Sequence, residues 1–229
     1  MNIRNKQTLS LFFWRKYSST IDRINRNALN KKFATENQNV STFTNRLNHW
    51  YYIYHEILHD LPIDYFEFGV YKGDSIREWS TLSGSPNSRF YGFDTFIGLP
   101  EHWFKDFGMG AFDVGGKIPD LIDHRVTFVK GTFQDTLENF LNGFNRRNRI
   151  VVNMDADLYS STLFVLLSMH HYLKEGDIIM FDDFLDPLGE FMAFGNYCQA
   201  YRIEPKLITA VKYGDFFDKV AFMVMRTSK

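Results

Sequence analysis

The alternation of apolar, strand-length runs with single helical stretches most constrains how this chain can fold. The runs include "IDYFEFGV", "RFYGFD", "RIVVNMD" and "GDIIMFDD", with helical spacing between them in "DTLENFLNGF" and "TLFVLLSMHHYLK". Apolar strands separated by single helices indicate a parallel sheet that helices cover on both faces. Seven such runs occur, and the last two form a closing pair. The pattern predicts a doubly wound, mostly parallel α/β domain.

The first part of the chain differs from the rest in charge. Residues 1–50 contain nine Lys and Arg against two Asp and Glu, whereas residues 51–229 contain 17 against 25. An arm that binds nucleic acid or anionic lipid is one interpretation. The basic residues are scattered rather than aligned on one face, which favours a solvated or self-docking extension and no nucleic-acid partner. We predict a helix from Thr42, capped by Ser41 or Thr42, to Leu61, and a division between residues 1–61 and 62–229.

Composition indicates the compartment. The chain has 229 residues with 45% hydrophobic residues, which suffices for one buried domain and a small appendage. Its one cysteine, Cys198, cannot form an internal disulfide. No apolar run approaches the ~18 residues that a membrane span needs, and no cleavage site follows the early apolar patch "LSLFFW". We therefore expect a cytoplasmic protein without a membrane span.

The first predicted strand ends in a turn with two glycines, "EFGVYKGDS". Its G-x-x-x-G spacing differs from the G-x-G-x-x-G turn that binds a pyrophosphate. Glu67 can accept from an ammonium group, while Ser75 and the amides of the next helix can hold a carboxylate. Asp94, at the end of the second strand, is placed to bind both hydroxyls of a ribose. An amino acid joined to a nucleoside describes S-adenosylmethionine, although tight-turn chemistry alone also accounts for the glycines.

Aspartates follow the fourth and fifth strands, in "VNMDADLYSST" and "IIMFDDF". Neighbouring parallel strands lie about 4.8 Å apart, so Asp155, Asp182 and Asp183 are expected to converge. Unpaired carboxylates repel one another, and a divalent cation removes that conflict. Oxygen ligands without a His or Cys cluster favour Mg²⁺ over zinc. The sequence predicts a magnesium site; helix capping and turn formation are the alternative.

Asp157 is the candidate general base. An alcohol with a pKa of about 15 is a poor nucleophile at neutral pH, so its proton must be removed with help. A cation lowers the pKa of such a hydroxyl and fixes its position, while a nearby carboxylate accepts the proton. Asp157 lies two residues after Asp155, beyond the strand end. A capping or supporting role is the alternative for this residue.

Five motifs, in this order, resemble the macrocin O-methyltransferase family of metal-dependent enzymes that methylate antibiotics and sugars. They are "EFGVYKGDS", "GFDTFIGLPE", "VKGTFQDTL", "DADLYSST" and "KEGDIIMFDDF", and the likeness spans about residues 63–226. The first motif is also similar to the E-x-G-x-Y-x-G-x-S turn of catechol O-methyltransferase. The resemblance implies a class I, Rossmann-like methyltransferase domain that uses S-adenosylmethionine and Mg²⁺. It also implies a hydroxylated, sugar-like small molecule as the substrate.

The resemblance also implies roles for individual residues. The cofactor site would comprise Glu67, Gly69, Tyr71, Gly73, Ser75, Asp94, Thr95, Gln134 and Asp155. Within it Asp94 would bind the ribose and Gln134 the adenine edge, with an ordinary helix-start role as the alternative for Gln134. Asp157 matches the base proposed in the antibiotic-sugar branch of the family. The position of the lysine that serves the catechol branch is occupied by Leu158, which argues against that mechanism.

A long connection at residues 95–124 is rich in glycine and aromatic residues. Connections of this length often act as lids. We predict that it closes over the cofactor, and that Trp103, Phe104, Phe107 and Phe112 exclude water or stack on a sugar. Simple packing of these rings is the alternative.

Two other functions compete with methyl transfer. The D-x-D of Asp155 and Asp157 also resembles the metal and nucleotide-sugar site of a glycosyltransferase, but this leaves the glycine turn and Asp94 without roles. A non-catalytic binding module with the same fold is the other candidate. A homodimer is expected through the helix within Phe43–Leu61.

Overall fold

The computed structural model describes residues 28–103, 107–186 and 188–225. Within these ranges eight strands form one sheet, in the order β1-β7-β8-β6-β5-β2-β3-β4. In chain order the strands are β1 Ser41–Phe43, β2 Ile63–Phe68, β3 Arg89–Asp94, β4 Val126–Lys130, β5 Arg149–Met154, β6 Ile178–Phe181, β7 Lys206–Tyr213 and β8 Phe216–Met223.

Helices connect and flank these strands. In the described part of the chain they are α1 at residues 28–36, α2 Arg46–Tyr52, α3 Asp74–Leu82, α4 Phe133–Gly143, α5 Tyr159–Met169 and α6 Glu190–Tyr201. A π-helical turn, Ile53–Ile57, continues α2. Among the described residues, no helix has the length and apolarity needed to cross a bilayer.

The sheet is parallel over most of its width. β2 pairs in parallel with β3 and β5, β3 with β4, and β5 with β6, whereas β8 runs antiparallel to both β6 and β7. Every residue of β2 is buried, as are all but the first of β5, because helices cover both faces. The predicted doubly wound, mostly parallel α/β fold is confirmed.

Two apolar clusters fill the space between the sheet and its helices. One contains Phe66, Phe93 and Val152 from the sheet together with Leu137 of α4 and Leu166 of α5. The other packs on the opposite face and includes Tyr65, Phe90, Val151, Ile178 and Trp79. Complete burial of one such large side chain contributes about 1.5–3 kcal/mol. Consecutive residues of a strand therefore face opposite clusters. A shift of one residue would exchange the two faces, so this packing fixes the register of the sheet.

The eighth strand, β1, was not predicted. Ser41 of β1 lies opposite Thr209 of β7 in a parallel pair, and the Thr209 hydroxyl donates to the Ser41 carbonyl at 2.8 Å. A three-residue strand has too little sequence for a period-two pattern, and its partner lies far away in the chain. α2 begins later than expected, because the Asn45 side chain caps it by accepting from the Asn48 amide at 2.9 Å.

The described part of the N-terminal segment is bonded to the α/β domain. Asn30 of α1 is buried, and its side-chain amide donates to the carbonyls of Phe184 and Phe217 at 3.1 and 3.2 Å. Its oxygen accepts from the Phe217 amide at 3.1 Å. Three hydrogen bonds from one buried side chain fix α1 against this end of the sheet. The division of the chain at residue 61 stays a prediction.

The strand order reverses in the middle of the sheet. From β2 the chain proceeds outward through β3 and β4, and it then returns to β5 and continues to β6 on the other side. In open α/β sheets this reversal leaves a crevice beyond the carboxyl ends of the two central strands, where ligands bind. The site is therefore expected beyond Phe68 and Met154.

Candidate active site

A cavity of about 360 Å³ lies at this crevice. Its volume is within the range of small-molecule and cofactor sites. Eight of the predicted cofactor, metal and catalytic residues line it: Gly69, Tyr71, Asp94, Thr95, Gln134, Asp155, Asp157 and Asp183. The ends of four strands and the start of α4 thus meet at one opening. The motifs give the order of these residues along the chain, and the fold shows that they meet.

Gly69 brings the turn after β2 into contact with the turn after β5. Its φ is +96°, and a Cβ built on it would lie 1.8 Å from the backbone oxygen of Asp155. A side chain is therefore excluded here both by the left-handed backbone and by the neighbouring chain. The turn predicted to hold the methionine end of a cofactor therefore lies directly beside Asp155.

Asp94 holds the glycine turn in place. One oxygen of its carboxylate accepts from the amides of Val70 and Tyr71 at 2.8 and 2.7 Å, and the other accepts from the Phe96 amide at 2.7 Å. These three amides fix the orientation of the carboxylate. Asp94 therefore links two strand-end turns in addition to lining the cavity, a role that the sequence did not indicate.

Three predicted cofactor residues lie outside the cavity lining. Glu67 is fully buried on β2, where its Oε2 accepts from the Tyr65 hydroxyl at 2.6 Å, and burial raises its pKa to about 8. Gly73 precedes α3 and packs against Pro119 of the long connection, and Ser75 is buried in the first turn of α3. Their contacts to a cofactor remain predictions.

The aspartates after β5 and β6 form a compact acidic cluster. One ligand oxygen from each of Asp155, Asp157 and Asp183 lies within 4.8 Å of the others. Burial, followed by repulsion from Asp182 and Asp183, raises the pKa of Asp155 well above its usual range. Burial also raises the pKa of Asp157 and of Asp183, and a hydrogen bond between them favours the proton on Asp157. Full ionisation of the metal-free cluster is therefore disfavoured, and a divalent cation would offset that cost.

Asp182 has a different environment from the other predicted ligands. Its carboxylate accepts from Lys219 Nζ at 2.9 Å, and Lys219 Nζ also donates to the Asp182 carbonyl at 2.9 Å. Lys219 lies on β8 and is mostly buried. The structure therefore groups Asp157 with Asp155 and Asp183, while Asp182 carries an ion pair next to them. Ligation by Asp182 stays a prediction.

Asp157 occupies a strained backbone conformation. Its φ is +60°, and the Leu158 amide donates to the Ala156 carbonyl at 2.5 Å, so Asp157 is the central residue of a three-residue turn. Residues other than glycine adopt such turns at a cost, and they concentrate at functional sites. The turn directs a buried carboxylate into the cavity.

The cluster fits a hard divalent cation, because its donors are buried carboxylate oxygens that otherwise repel.

A comparison with protein-family models matches residues 30–219 to the macrocin O-methyltransferase (TylF) family. The chain belongs to this family. The resemblance inferred from the five motifs is confirmed, and it extends into the N-terminal segment as far as α1.

A curated relative is the 8-demethyl-8-(2,3-dimethoxy-alpha-L-rhamnosyl)-tetracenomycin-C 4'-O-methyltransferase of Streptomyces olivaceus. It is 28% identical over 160 residues, and the match covers 61% of this chain and 60% of the relative. The match thus spans less than two thirds of the relative's length.

Two solved structures share the fold of this macrocin O-methyltransferase family member. The calicheamicin methyltransferase CalS11 has a TM-score of 0.62 at 23% identity over 78% of each chain. The O-methyltransferase NovP has a TM-score of 0.58 at 21% identity over 79% and 80%.

The long connection of this family member is folded over the cavity. Leu99 exchanges backbone hydrogen bonds with Ala111 and Gly110, both at 2.9 Å, which makes a hairpin of the segment. Trp103 and Phe112 line the cavity. Phe104 lies outside the described residues. The role as a lid stays a prediction.

Aromatic rings continue from the glycine turn across this hairpin. Tyr71 contacts Phe112 with ring centroids 5.8 Å apart, Phe112 stacks on Phe107 at 5.3 Å, and Phe107 contacts Trp103 at 5.5 Å. Trp103 Nε1 donates to Asp186 in the loop after β6 at 3.4 Å. The row therefore joins the two sides of the opening.

Two charged residues at the site were missed in the sequence. Lys219 gave no signal, because it lies in the closing strand pair far from any motif. Glu190 opens α6 seven residues after Asp183 and is fully buried. An acidic residue in the first turn of a helix is common, since it favours the helix dipole. Only the fold shows that its carboxylate faces the acidic cluster.

Proposed function

We propose that this chain is an S-adenosylmethionine-dependent and Mg²⁺-dependent O-methyltransferase that acts on a hydroxyl of a sugar or glycosylated natural product. The observation that carries the proposal is the shared cavity. A glycine turn, a ribose-type aspartate and Gln134 line one part, and the acidic cluster lines the same space. The residues proposed to bind the cofactor are thus adjacent to the acidic cluster proposed to bind the acceptor hydroxyl. Transfer between two bound molecules requires such proximity.

The residues of the chain divide the work. The turn at Gly69 and the start of α3 hold the amino-acid part of the cofactor, Asp94 the ribose and Gln134 the adenine edge. Asp155, Asp182 and Asp183 would hold the cation. When bound, S-adenosylmethionine supplies the electrophilic methyl group, and Mg²⁺ supplies the positive charge that favours ionisation of the acceptor hydroxyl.

Asp157 accepts the hydroxyl proton. Its carboxylate reaches the cavity from a fixed turn, and it must be ionised to act as a base. Burial and the neighbouring Asp183 raise its pKa in the metal-free chain, and the positive charge of a cation in the cluster would lower it. Trp103 and Phe112 exclude water from the reacting groups.

The relatives support the choice of acceptor and donor. The Streptomyces olivaceus relative is named for methylation of a rhamnosyl group on a tetracenomycin. An O-methyltransferase of Bacillus cereus with the same fold, at a TM-score of 0.52 and 12% identity over 88% of this chain and 89% of its own, was solved in complex with SAH. Family membership also favours methyl transfer over the glycosyltransferase reading of the D-x-D.

Thermal shift tests the donor and the cation together. We expect stabilisation by S-adenosylhomocysteine, further stabilisation by Mg²⁺, loss of the second effect with EDTA, and no response to a uridine diphosphate sugar. Stabilisation by the nucleotide sugar alone would favour a glycosyltransferase. No response to any compound would favour a non-catalytic module.

A screen of hydroxylated acceptors with a labelled methyl donor tests the reaction itself. Free sugars, nucleotide sugars and glycosylated polyketides are the classes to compare. We expect label in a sugar hydroxyl, at a rate that EDTA abolishes and Mg²⁺ restores. Labelling that is unaffected by EDTA would remove the metal from the proposal.

We also infer a cytoplasmic location and a homodimer that pairs through the segment from Phe43 to Leu61. Exposed apolar side chains on α2, Leu47 and Tyr51, support this choice of interface. Sedimentation of the parent chain and of Leu47→Lys tests it. A monomeric parent would refute the dimer, and an unchanged dimer in the variant would refute this interface.

A further inference from the structure

Glu190 connects the two turns that carry the acidic cluster. Its Oε1 accepts from the Ala156 amide at 3.1 Å, and its Oε2 accepts from the Asp183 amide at 3.0 Å. Ala156 lies between Asp155 and Asp157, so one side chain contacts the backbone of both turns. Glu190 is 0% exposed, and Ala156 is 5% exposed. Water therefore cannot easily replace either hydrogen bond.

The position of this bridge is beyond the end of the β5–β6 pairing. The last paired residues are Met154 and Phe181, and one further bond runs from the Asp182 amide to the Met154 carbonyl at 2.9 Å. Past that point the two chains have separate turns. The Glu190 carboxylate supplies the next link between them, in place of a backbone rung.

The contacts require two hydrogen-bond acceptors. Both partners are backbone N–H groups, and a carboxylate offers an acceptor oxygen to each. A glutamine would present its NH₂ group to one of the two N–H donors, so one bond would be lost. The preceding Gly189 allows the approach, because a Cβ there would lie 2.8 Å from the Asp157 carbonyl oxygen.

We propose that Glu190 is a positioning residue, which sets the spacing between the Asp155–Asp157 turn and Asp183 and thereby the affinity of the cluster for a divalent cation. This inference rests on the proposed function. Glu190 has both oxygens committed to amides, so it acts through the backbone of the ligands and not as a ligand itself. Outer residues that orient metal ligands typically change metal affinity or activity by about 10- to 100-fold when removed.

Calorimetric titration of the full chain with Mg²⁺ tests the proposal, with S-adenosylhomocysteine titrated separately. In Glu190→Gln we expect the Kd for Mg²⁺ to rise by about 10- to 100-fold, while the Kd for S-adenosylhomocysteine stays at the parent value. The Mg²⁺ concentration for half-maximal turnover should rise in parallel, and kcat should recover at saturating Mg²⁺. Glu138→Gln, on the exposed side of α4, is the matched control and should behave as the parent.

The outcomes separate this inference from the proposed function. A parent chain that binds no Mg²⁺ overturns both. A parent that binds Mg²⁺ and transfers methyl groups, beside a folded Glu190→Gln with the parent's Mg²⁺ affinity, overturns only the positioning role. If Glu190→Gln does not fold, Glu190→Asp decides, because it keeps the carboxyl group but is too short to reach both amides. If neither variant folds, Glu190 is a requirement of the fold and the positioning role is rejected.

Discussion

The two ends of the sheet treat buried carboxylates in opposite ways. At the amino end, Asp64 of β2 accepts from Arg89 at 2.9 and 2.7 Å, and Asp177 before β6 accepts from Arg146 at 2.6 and 2.7 Å. Both aspartates are 0% exposed, and each arginine binds its partner through two nitrogens. At the carboxyl end, Asp155, Asp157 and Asp183 face one another instead. The first arrangement stabilises the fold, and the second stores repulsion at the site.

The difference is visible in the ionisation of Asp64 and Asp155, whereas burial raises the pKa of Asp177 in spite of its bonds to Arg146. Burial tends to raise the pKa of Asp64, but the hydrogen bonds from Arg89 and from the amides of Arg147 and Asn148 outweigh it and lower the pKa. Burial raises the pKa of Asp155, and the neighbouring carboxylates raise it further. Pairing every buried acid would make the chain more stable, so a cluster of carboxylates with raised pKa values is a feature expected of a functional site.

Asp155→Ala should produce the largest loss of activity. Removal of the central carboxylate should bring metal-dependent transfer to background, because the remaining oxygens cannot hold the cation. The Kd for S-adenosylhomocysteine should change little, and the melting temperature of the metal-free chain should hold or rise as repulsion is relieved. Turnover assays and calorimetry measure both. Parent-like turnover would show that the cluster is not a metal site.

Asp157→Asn should slow the chemical step by about 10²- to 10⁴-fold, the usual contribution of a general base. Asn also tolerates a positive φ, so the turn should be kept and stability should not fall. The measurement is kcat against pH, with cofactor affinity as the control. A pH profile and a kcat equal to those of the parent would reject Asp157 as the base and leave it a supporting role.

Asp64→Ala should give the opposite phenotype. Breaking a buried pair leaves the Arg89 guanidinium uncompensated and should cost about 3–5 kcal/mol of unfolding free energy. Turnover per folded molecule should be unchanged, since the pair lies at the far end of the sheet. Glu36→Ala is the matched control, because its pair with Lys32 is exposed and is worth at most about 1 kcal/mol. Equal denaturation midpoints for the two variants would contradict the comparison.

The sequence predicted those features of the fold that depend on local patterns, and it did not predict those that depend on contacts between distant residues. The strands, their parallel pairing and the convergence of acids at one edge follow from local apolar runs and the motifs that end them. β1 could not be predicted, because three residues carry no periodicity and their partner is distant in the chain. The pairing of Asp64 with Arg89 across 25 positions depends on register, which no local pattern specifies.

The sequence predicted which residues line the site more completely than it predicted their hydrogen-bond partners. The motifs name Asp94 as a ribose ligand, yet its hydrogen bonds to the turn after β2 appear only when β3 lies beside β2. Asp182 and Asp183 look equivalent in "FDDF", but consecutive side chains of an extended segment point in opposite directions, and Lys219 of β8 bonds to the carboxylate of Asp182. Glu190 and Lys219 come from elements that carry no motif.

Carboxylates at both ends of the sheet should contribute to the pH dependence of the unfolding free energy, with opposite signs. Because the folded pKa of Asp64 is lowered, its contribution is present above the unfolded pKa and is lost as pH falls through the folded value. His49 adds to this acid limb, because burial lowers its pKa to about 3. The acidic cluster has raised folded pKa values, so its protonated form favours folding at low pH and that contribution is lost as pH rises.

Melting temperatures in EDTA should therefore fall between about pH 5 and pH 9, and Mg²⁺ should reverse the fall by an amount that grows with pH, because binding displaces protons. Asp155→Ala should flatten this alkaline limb in EDTA, since it removes a buried carboxyl whose pKa is raised well above its usual range, while Glu36→Ala should keep it. Equal alkaline slopes in the parent and Asp155→Ala would show that the cluster is already ionised without a cation. The cost of assembling unpaired acids would then have to be met by Lys219 and the surrounding amides, and the case for a cation would lose its electrostatic basis.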